Sequence, residues 1–484
     1  MVALVVTAAC LRVAFNNVRR YGNGDEYHYA LQASAIFSRG WSCLPALVNW
    51  HLASEPDFPA PYRFGNLAFA RVACAVRQVC DERSLAWVST ISGIVVVAVV
   101  ALLARKLFTR RAAFVATALA ITSPLHLELG RRAYADELHT ALVLLSLWGL
   151  AYVAAPPAER TSVSHRRIWV LVSLVSLTLA WSVKESVAFM LPSLAFWLFS
   201  LRSPRAFKFT DAALLLAPAV LALLGFVALN HGFAKVGELF DATRASLMHP
   251  YSVALQAGPP HRSLVELFTL SPWVYGVLPV AAFLAFGVTH TSRASDANPE
   301  RSRAHALATA LLLLLGAFAF LPKNLRFVAF VDPLARILVA WFVCEILPIN
   351  GRGGRLWCAS ILLANAAFEL AIFHRTFVTS SVTDPTASAI FGALQMTPAE
   401  VRAWHPPAVV YLATVLSCVF AWAAARKVGF GRKSLLAAGF ITVLAVAAPQ
   451  MLRPKRGLSS AEHSHAALRT APYIQLPQST PEKP

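Results

Sequence analysis

The sequence predicts an all-α polytopic membrane protein with about thirteen transmembrane helices. Three observations support this fold class. Of the 484 residues, 57% are hydrophobic and only 14% are charged, which is far from the usual composition of a soluble domain. The apolar residues fall into stretches of roughly 17 to 25, the length of a membrane-spanning helix. Short loops rich in Arg separate many of these stretches.

The apolar stretches, taken in order, give the predicted spans. They are residues 2–18, 84–104, 112–129, 137–155, 168–183, 186–201, 211–229, 272–289, 305–321, 327–349, 356–373, 407–425 and 434–450. The first lacks the basic start and small-residue cleavage site of a secretory signal, so we expect it to be retained. Residues 1–450 form one predicted transmembrane domain. Residues 451–484 are rich in Ser, Pro and His and are predicted to be disordered.

The distribution of positive charge predicts the orientation. Arg and Lys are concentrated in the short loops after the even-numbered spans, and such loops normally stay in the cytoplasm. The outer, extracytoplasmic face then receives the longer loops, residues 19–83, 230–271 and 374–406. This orientation of the first loop depends on Pro61 to Cys80, which we predict to be an amphipathic helix in the interface. If that helix crossed the membrane, Asp25 and Glu26 would be cytoplasmic.

Charge and cysteine content exclude two kinds of partner. Lys and Arg number 43 against 24 Asp and Glu, a net charge of +19, but in a membrane protein this excess reflects cytoplasmic loops, so we expect no nucleic acid. The seven cysteines show no Cys-x-x-Cys or Cys/His cluster, which argues against a sulfur-based metal site. A disulfide from Cys43 to either Cys74 or Cys80 is left open, because all three lie in the first outer loop.

Ionisable residues recur at the outer ends of the predicted spans, where burial in the bilayer is costly. In chain order the four sets are Asp25 and Glu26; Glu128, Arg131, Arg132, Asp136 and Glu137; Lys184 and Glu185; and Lys323, Arg326 and Asp332. A carboxylate can accept a proton from an acceptor hydroxyl, and Lys and Arg can hold a departing phosphate. The alternative is that each set only pairs with its neighbours or reaches toward water. Four sets on one face favour the chemical interpretation.

The order of these features resembles the GT-C superfamily of membrane glycosyltransferases, which use polyprenyl-phosphate sugars. The most similar branch contains the protein O-mannosyltransferases and the lipid A aminoarabinose transferases. The matching features are Asp25-Glu26 after the first span, Pro59-Ala-Pro61-Tyr62, Arg131-Arg132 with Asp136, Lys184-Glu185, and Arg326-Phe327 with Pro333. Two details differ, since many relatives have consecutive prolines in the first loop and Arg-Tyr instead of Arg-Phe. Neither difference removes a charged group.

The resemblance implies a GT-C fold, with interfacial helices in the first outer loop, and assigns roles to the charged residues. Asp25 would be the catalytic base, with Glu26 as its neighbour and Asp136 as the second outer-loop acid. The implied contacts to the donor phosphate are Lys184, Arg326, Arg131, Arg132 and Lys323. Asp25 would take the proton of the acceptor hydroxyl while the polyprenyl phosphate leaves, with inversion at the anomeric carbon.

The same resemblance sets the expected partners and location. The donor would be a polyprenyl-phosphate-linked sugar, and the acceptor a protein, lipid or glycan hydroxyl. No cofactor is required, although a divalent cation shared by Asp25 and Asp136 is left open. We expect a multi-pass protein of the plasma (inner) membrane with its active site on the extracytoplasmic face.

Two other classes of function compete with the enzyme. One is a transporter or flippase for a lipid-linked or anionic substrate, which would use the same basic residues to hold a phosphate. The other is a membrane scaffold without catalysis. Transport sites tend to lie near the bilayer midplane on broken helices, whereas the ionisable sets gather at one face here, which favours the enzyme.

Overall fold

The computed structural model describes residues 1–16, 24–54, 59–154, 163–201, 209–248, 262–287, 299–319, 324–346 and 352–378. Within these ranges the regular structure is helical and there is no β-strand, so the predicted all-α class is confirmed. The predicted spans 407–425 and 434–450, the tail 451–484 and most of the 374–406 loop lie outside the described residues.

The described part of the chain contains seventeen α-helices. They are α1 (Val2–Asn16), α2 (Gly24–Arg39), α3 (Leu44–Ser54), α4 (Phe64–Arg77), α5 (Glu82–Leu107), α6 (Arg110–Ile121), α7 (Pro124–Leu129), α8 (Asp136–Val153), α9 (Val163–Val183), α10 (Leu191–Leu201), α11 (Phe209–Leu229), α12 (Val236–Met248), α13 (Arg262–Leu270), α14 (Pro272–Gly287), α15 (Pro299–Ala319), α16 (Val331–Ile346) and α17 (Arg352–Phe373). Short 3-10 turns cover Trp41–Cys43, Glu185–Met190 and Leu325–Val328, and a π turn covers His374–Val378.

Most predicted spans up to residue 373 contain an α-helix of the described chain, although not all of these helices are long. Five are long and apolar enough to cross a membrane: Glu82–Leu107, Arg166–Val183, Thr210–Leu229, Pro299–Ala319 and Gly353–Val378. Others, such as α1 with 15 residues, are shorter than the roughly 20 residues that a span requires. The total of thirteen spans therefore stays a prediction.

One predicted span, 112–129, is broken in the structure. The helix α6 ends at Ile121, and α7 begins at Pro124 after a new N-cap, Ser123. The Ser123 hydroxyl accepts a hydrogen bond from the His126 amide at 3.4 Å, and a proline is well suited to the first position of a helix. The break lets Ser123 and His126 face the protein interior, where both are buried.

The predicted first outer loop contains the helices α2, α3 and α4. The Gln32 side chain on α2 donates a hydrogen bond to the Pro59 carbonyl at 2.7 Å, which fixes the Pro-rich element ahead of α4. With 14 residues, α4 is shorter than a span needs to be. A disulfide joins Cys74 to Cys80, and Cys43 is a free thiol. The hypothesis of a disulfide from Cys43 to Cys74 or Cys80 is therefore wrong. The two bonded cysteines are six residues apart and meet across the turn that follows α4.

Two helices, α5 and α16, pack centrally among the elements that carry the charged residues. The helix α5 packs against α1, α4, α6 and α8, and α16 packs against α6, α14 and α15. Asp136 is the first residue of α8, and the turn Leu325–Val328 comes just before α16. The charged residues at these helix ends are therefore held by packed elements and not by long flexible loops.

Candidate active site

Ion pairs join the predicted site residues, which come from four separate stretches of sequence. Asp25 pairs with Arg326 over a separation of 301 residues. Asp136 pairs with Lys184, and Glu26 pairs with Arg132. Of the predicted residues, Lys323 lies outside the described part of the chain.

The Asp25 and Arg326 side chains are the most accessible of these three pairs. The Arg326 Nη1 donates to Asp25 Oδ2 at 2.7 Å, and the two side chains are 12% and 25% exposed respectively. Asn324 caps the turn that carries Arg326, because its Oδ1 accepts a hydrogen bond from the Arg326 amide at 3.0 Å. The guanidinium also lies over the Tyr134 ring, 4.6 Å from its centre. Asp25 thus faces solvent beside a cation that is held in place.

Asp136 and Lys184 form a buried pair next to it. The Lys184 ammonium also lies over the Phe327 ring, 4.6 Å from its centre, so the residue after Arg326 contacts the second cation. Burial acts to raise the pKa of Asp136, but the charges of Lys184 and Arg326 outweigh it and hold that pKa below its usual value. Asp136 is therefore a carboxylate committed to Lys184.

Glu26 is a buried clamp. Its carboxylate accepts hydrogen bonds from Arg132 Nε at 3.0 Å and from the Ala133 amide at 2.9 Å, and its second oxygen lies 2.9 Å from Arg132 Nη2. Burial raises the pKa of Glu26, and the Arg132 charge opposes that rise. With 1% of its surface exposed, Glu26 fastens α2 to the segment between α7 and α8. This geometry suits a structural role better than proton transfer.

Arg131 and Arg132 share Glu128 as a partner. The Glu128 oxygens lie 2.6 Å from Arg131 Nε and 3.2 Å from Arg132 Nη1. Arg131 also contacts the π turn that follows α17, where its Nη2 donates to the Phe377 carbonyl at 2.7 Å. The structure therefore connects both arginines to Glu128, and their predicted contact with a donor phosphate stays a prediction.

Arg63 and Tyr29 are site residues that the sequence did not single out. Arg63 directly precedes α4 and donates to both oxygens of Glu185, from Nε at 3.0 Å and from Nη2 at 2.5 Å. Its Nη1 donates to the Tyr29 hydroxyl at 2.7 Å. Although burial acts to raise it, the pKa of Glu185 falls to about 2 because of the Arg63 charge. A sequence signal for Tyr29 did exist, since it lies one helical turn after Asp25 and shares its face.

Two buried histidines line the first outer loop near Asp25. Burial lowers the pKa of His28 and of His51 to about 4 each, so both are neutral at physiological pH. The ring of His28 stacks on Trp50 at 6.1 Å between ring centres. Neither ring nitrogen of His51 has a hydrogen-bond partner among the described residues.

Comparisons with known proteins identify the fold. The family model described as dolichyl-phosphate-mannose-protein mannosyltransferase matches residues 65–230. No curated protein sequence matches the chain significantly. The structure of apo ArnT from Cupriavidus metallidurans matches with a TM-score of 0.54 and 16% identity, over 93% of this chain and 74% of ArnT. ArnT bound to undecaprenyl phosphate matches with a TM-score of 0.53 and 15% identity, over 93% of this chain and 76% of ArnT. This chain has the GT-C fold.

The GT-C fold that the sequence predicts is thereby confirmed. The five long apolar helices among the described residues agree with the predicted integral membrane protein. A weaker match to this GT-C chain is the archaeal oligosaccharyltransferase AglB from Archaeoglobus fulgidus, with a TM-score of 0.45 and 14% identity over 84% of this chain and 60% of AglB. The family match includes Asp136 and Lys184 but neither Asp25 nor Arg326. The structural likeness to ArnT extends over most of the GT-C chain.

The sequence left open whether Asp25 and Asp136 share a divalent cation. Among the residues that the structure describes, no group of three or more His, Cys, Asp and Glu is arranged to hold a metal ion. Asp25 and Asp136 each contact a cationic side chain, Arg326 and Lys184. Whether the reaction needs a cofactor stays a prediction.

Proposed function

We propose that this GT-C chain is a glycosyltransferase that moves a sugar from a polyprenyl-phosphate donor to an acceptor hydroxyl, with inversion. The observation that carries the proposal is the ion pair of Asp25 and Arg326, at 2.7 Å. It places a partly exposed carboxylate beside a cation suited to phosphate, with Lys184 contacting the residue next to that cation. A proton acceptor and a phosphate site are thus adjacent, as the reaction requires.

In this proposal Asp25 accepts the proton of the acceptor hydroxyl as the phosphate departs. The anomeric centre passes through an oxocarbenium-like transition state, as in glycosidases, and a phosphate leaves without needing a general acid. Lys184 supplies a compact charge and Arg326 a planar fork of donors, so the two can screen the charge that develops on the phosphate. Asp136 balances Lys184 while the site is empty.

Arg326 would also couple donor binding to the base. Without donor, its guanidinium holds Asp25 as a paired carboxylate. A guanidinium has five N–H donors, so an arriving phosphate would share it and weaken its hold on Asp25. The Asp25 carboxylate is then released toward the acceptor hydroxyl only when the leaving group is in place.

The relatives support the donor class. The ArnT structure was solved with undecaprenyl phosphate, and the matching family model names dolichyl-phosphate-mannose. Both compounds contain a polyprenyl chain on a phosphate. We propose the same donor class for this chain, with a protein, lipid or glycan acceptor.

The proposed location is the extracytoplasmic face of the plasma (inner) membrane. The disulfide between Cys74 and Cys80 supports this side, because disulfides persist in oxidising compartments and are rare in the cytosol. It closes the turn between α4 and α5, in the same outer loop as Asp25.

The decisive experiment is sugar transfer by Asp25→Asn in reconstituted membranes. The amide has the same shape but cannot take the proton, so transfer should be abolished while membrane abundance stays normal. Lys184→Ala and Arg326→Ala should each weaken binding of undecaprenyl phosphate by roughly 1.5 to 3 kcal/mol. Arg77→Ala is the matched control, because Arg77 pairs with Asp81 beyond α4. Retained turnover in Asp25→Asn would contradict the proposed base, and movement of the lipid without transfer would favour a flippase.

A further inference from the structure

A second cluster of charges lies behind the candidate site, inside the helix bundle. We define the buried network as six residues that are each at most 2% exposed: Arg12, His126, Glu137, Asp332, Arg336 and Glu369. They come from α1, α7, α8, α16 and α17. None of them has a part in the proposed transfer, and burying so many charges needs a reason.

One end of the buried network is tightly bonded. Asp332 accepts hydrogen bonds from Arg336 Nε at 2.7 Å, from the Ser123 hydroxyl at 2.8 Å and from the Tyr275 hydroxyl at 3.0 Å. Arg336 also lies 2.9 Å from a Glu369 oxygen. This end ties α7, α14, α16 and α17 together.

His126 forms the other end, and its two ring nitrogens both face acceptors. Its Nε2 lies 3.1 Å from the Ala329 carbonyl oxygen, and its Nδ1 lies 2.8 Å from Glu137 Oε2. A carbonyl can only accept, so Nε2 must carry a hydrogen. A second proton must then lie between Nδ1 and the Glu137 carboxylate. The pair therefore holds one proton more than a neutral imidazole beside an ionised carboxylate.

The extra proton balances the charges of the buried network. Arg12 and Arg336 carry positive charge, and Glu137, Asp332 and Glu369 carry negative charge, so without this proton the network would have an excess negative charge. The charged groups that face the pair are Asp332, at 3.8 Å from His126 Nε2, and Arg12, which lies beside Glu137 across Gly93. A low-dielectric interior strongly disfavours an unbalanced charge. The total is zero wherever the proton lies between Nδ1 and the Glu137 carboxylate.

We infer that His126, which shares a proton with Glu137, positions both halves of the proposed phosphate site, an inference that rests on the proposed function. Ala329 directly follows the turn Leu325–Val328, which carries Arg326. Glu137 directly follows Asp136, the partner of Lys184. By donating to the Ala329 carbonyl and sharing a proton with Glu137, His126 holds these two segments at a fixed separation.

Two double variants test the positioning role without changing the net charge. His126→Gln with Glu137→Gln keeps an amide N–H that can donate to the Ala329 carbonyl, whereas His126→Leu with Glu137→Gln has no such donor. We expect the first to bind undecaprenyl phosphate within about threefold of wild type and the second about tenfold more weakly. Hydrogen exchange of residues 324–330 should rise only in the second. Equal affinity and equal exchange in both would overturn the positioning role.

Nitrogen-15 NMR of the histidine side chains tests the hydrogen on Nε2 in the unmodified protein. The signals missing from the His126→Gln spectrum belong to His126, and at neutral pH they should show a hydrogen on Nε2. A neutral ring with its hydrogen on Nδ1 would overturn the inference whether or not the double variants fold. If the wild-type protein does not bind undecaprenyl phosphate, the proposed function fails, and the NMR result still decides the state of His126.

Discussion

Glu26→Gln separates a structural clamp from a catalytic acid. The substitution keeps the shape of the side chain but removes the charge that meets Arg132 at 2.9 and 3.0 Å. Removing one partner of a buried pair costs roughly 3 to 5 kcal/mol, because the other charge is left uncompensated. Arg132 keeps Glu128 at 3.2 Å, so we expect the lower end, about 3 kcal/mol.

The assay compares Glu26→Gln with Asp25→Asn in melting temperature and membrane abundance. Asp25 and Arg326 are partly exposed, and such pairs contribute only about 0 to 1 kcal/mol to stability. Glu26→Gln should therefore melt clearly below wild type, while Asp25→Asn melts close to it and loses sugar transfer. If Glu26→Gln melts like wild type but loses transfer, Glu26 takes part in the chemistry and the clamp interpretation is wrong.

Two further substitutions, the second with a control, test the surroundings of buried polar groups. The pKa of His51 is about 4 in the fold against 6.5 for an ordinary imidazole, so the unfolded chain binds more protons between these values. The stability that this pKa difference contributes is present above pH 6.5 and is lost as the pH falls toward 4. The melting temperature of His51→Phe should therefore depend less on pH over this range than that of wild type. An unchanged pH dependence would contradict the low pKa of His51. Gly93→Ala would place a Cβ 2.7 Å from Arg12 Nε and 3.0 Å from Glu137 Oε1, so its melting temperature should drop. Gly316→Ala, where a Cβ has open space, should be neutral or stabilising; equal effects of the two alanines would argue against close packing at Gly93.

The sequence predicted the positions of the charged residues of the candidate site but not their pairing. Costly acids and bases at the outer ends of spans pointed to Asp25, Asp136, Lys184 and Arg326, and the structure joins these residues in two neighbouring pairs. Side-chain partners depend on how helices distant in sequence pack, which periodicity and composition do not encode. The clamp formed by Glu26 is an example, since adjacent acids on one helix turned out to face different partners.

The parts of the fold that were not predicted have local causes. Hydropathy treats residues 112–129 as one apolar stretch, but Ser123-Pro124 supplies an N-cap and a first residue for a new helix, which was a readable signal. Arg63 falls within the predicted interfacial helix from Pro61 to Cys80, and nothing local distinguishes it. Its partner Glu185 is 122 residues away.

Arg63 has a mechanical consequence for the entry of substrates. It connects Tyr29 on α2 and the start of α4 to Glu185, the residue after Lys184. If α4 swings outward to admit an acceptor, it must either break the two hydrogen bonds to Glu185 or pull the Lys184 turn along with it. Opening of the outer loop and loosening of the phosphate site are thus linked through a single guanidinium.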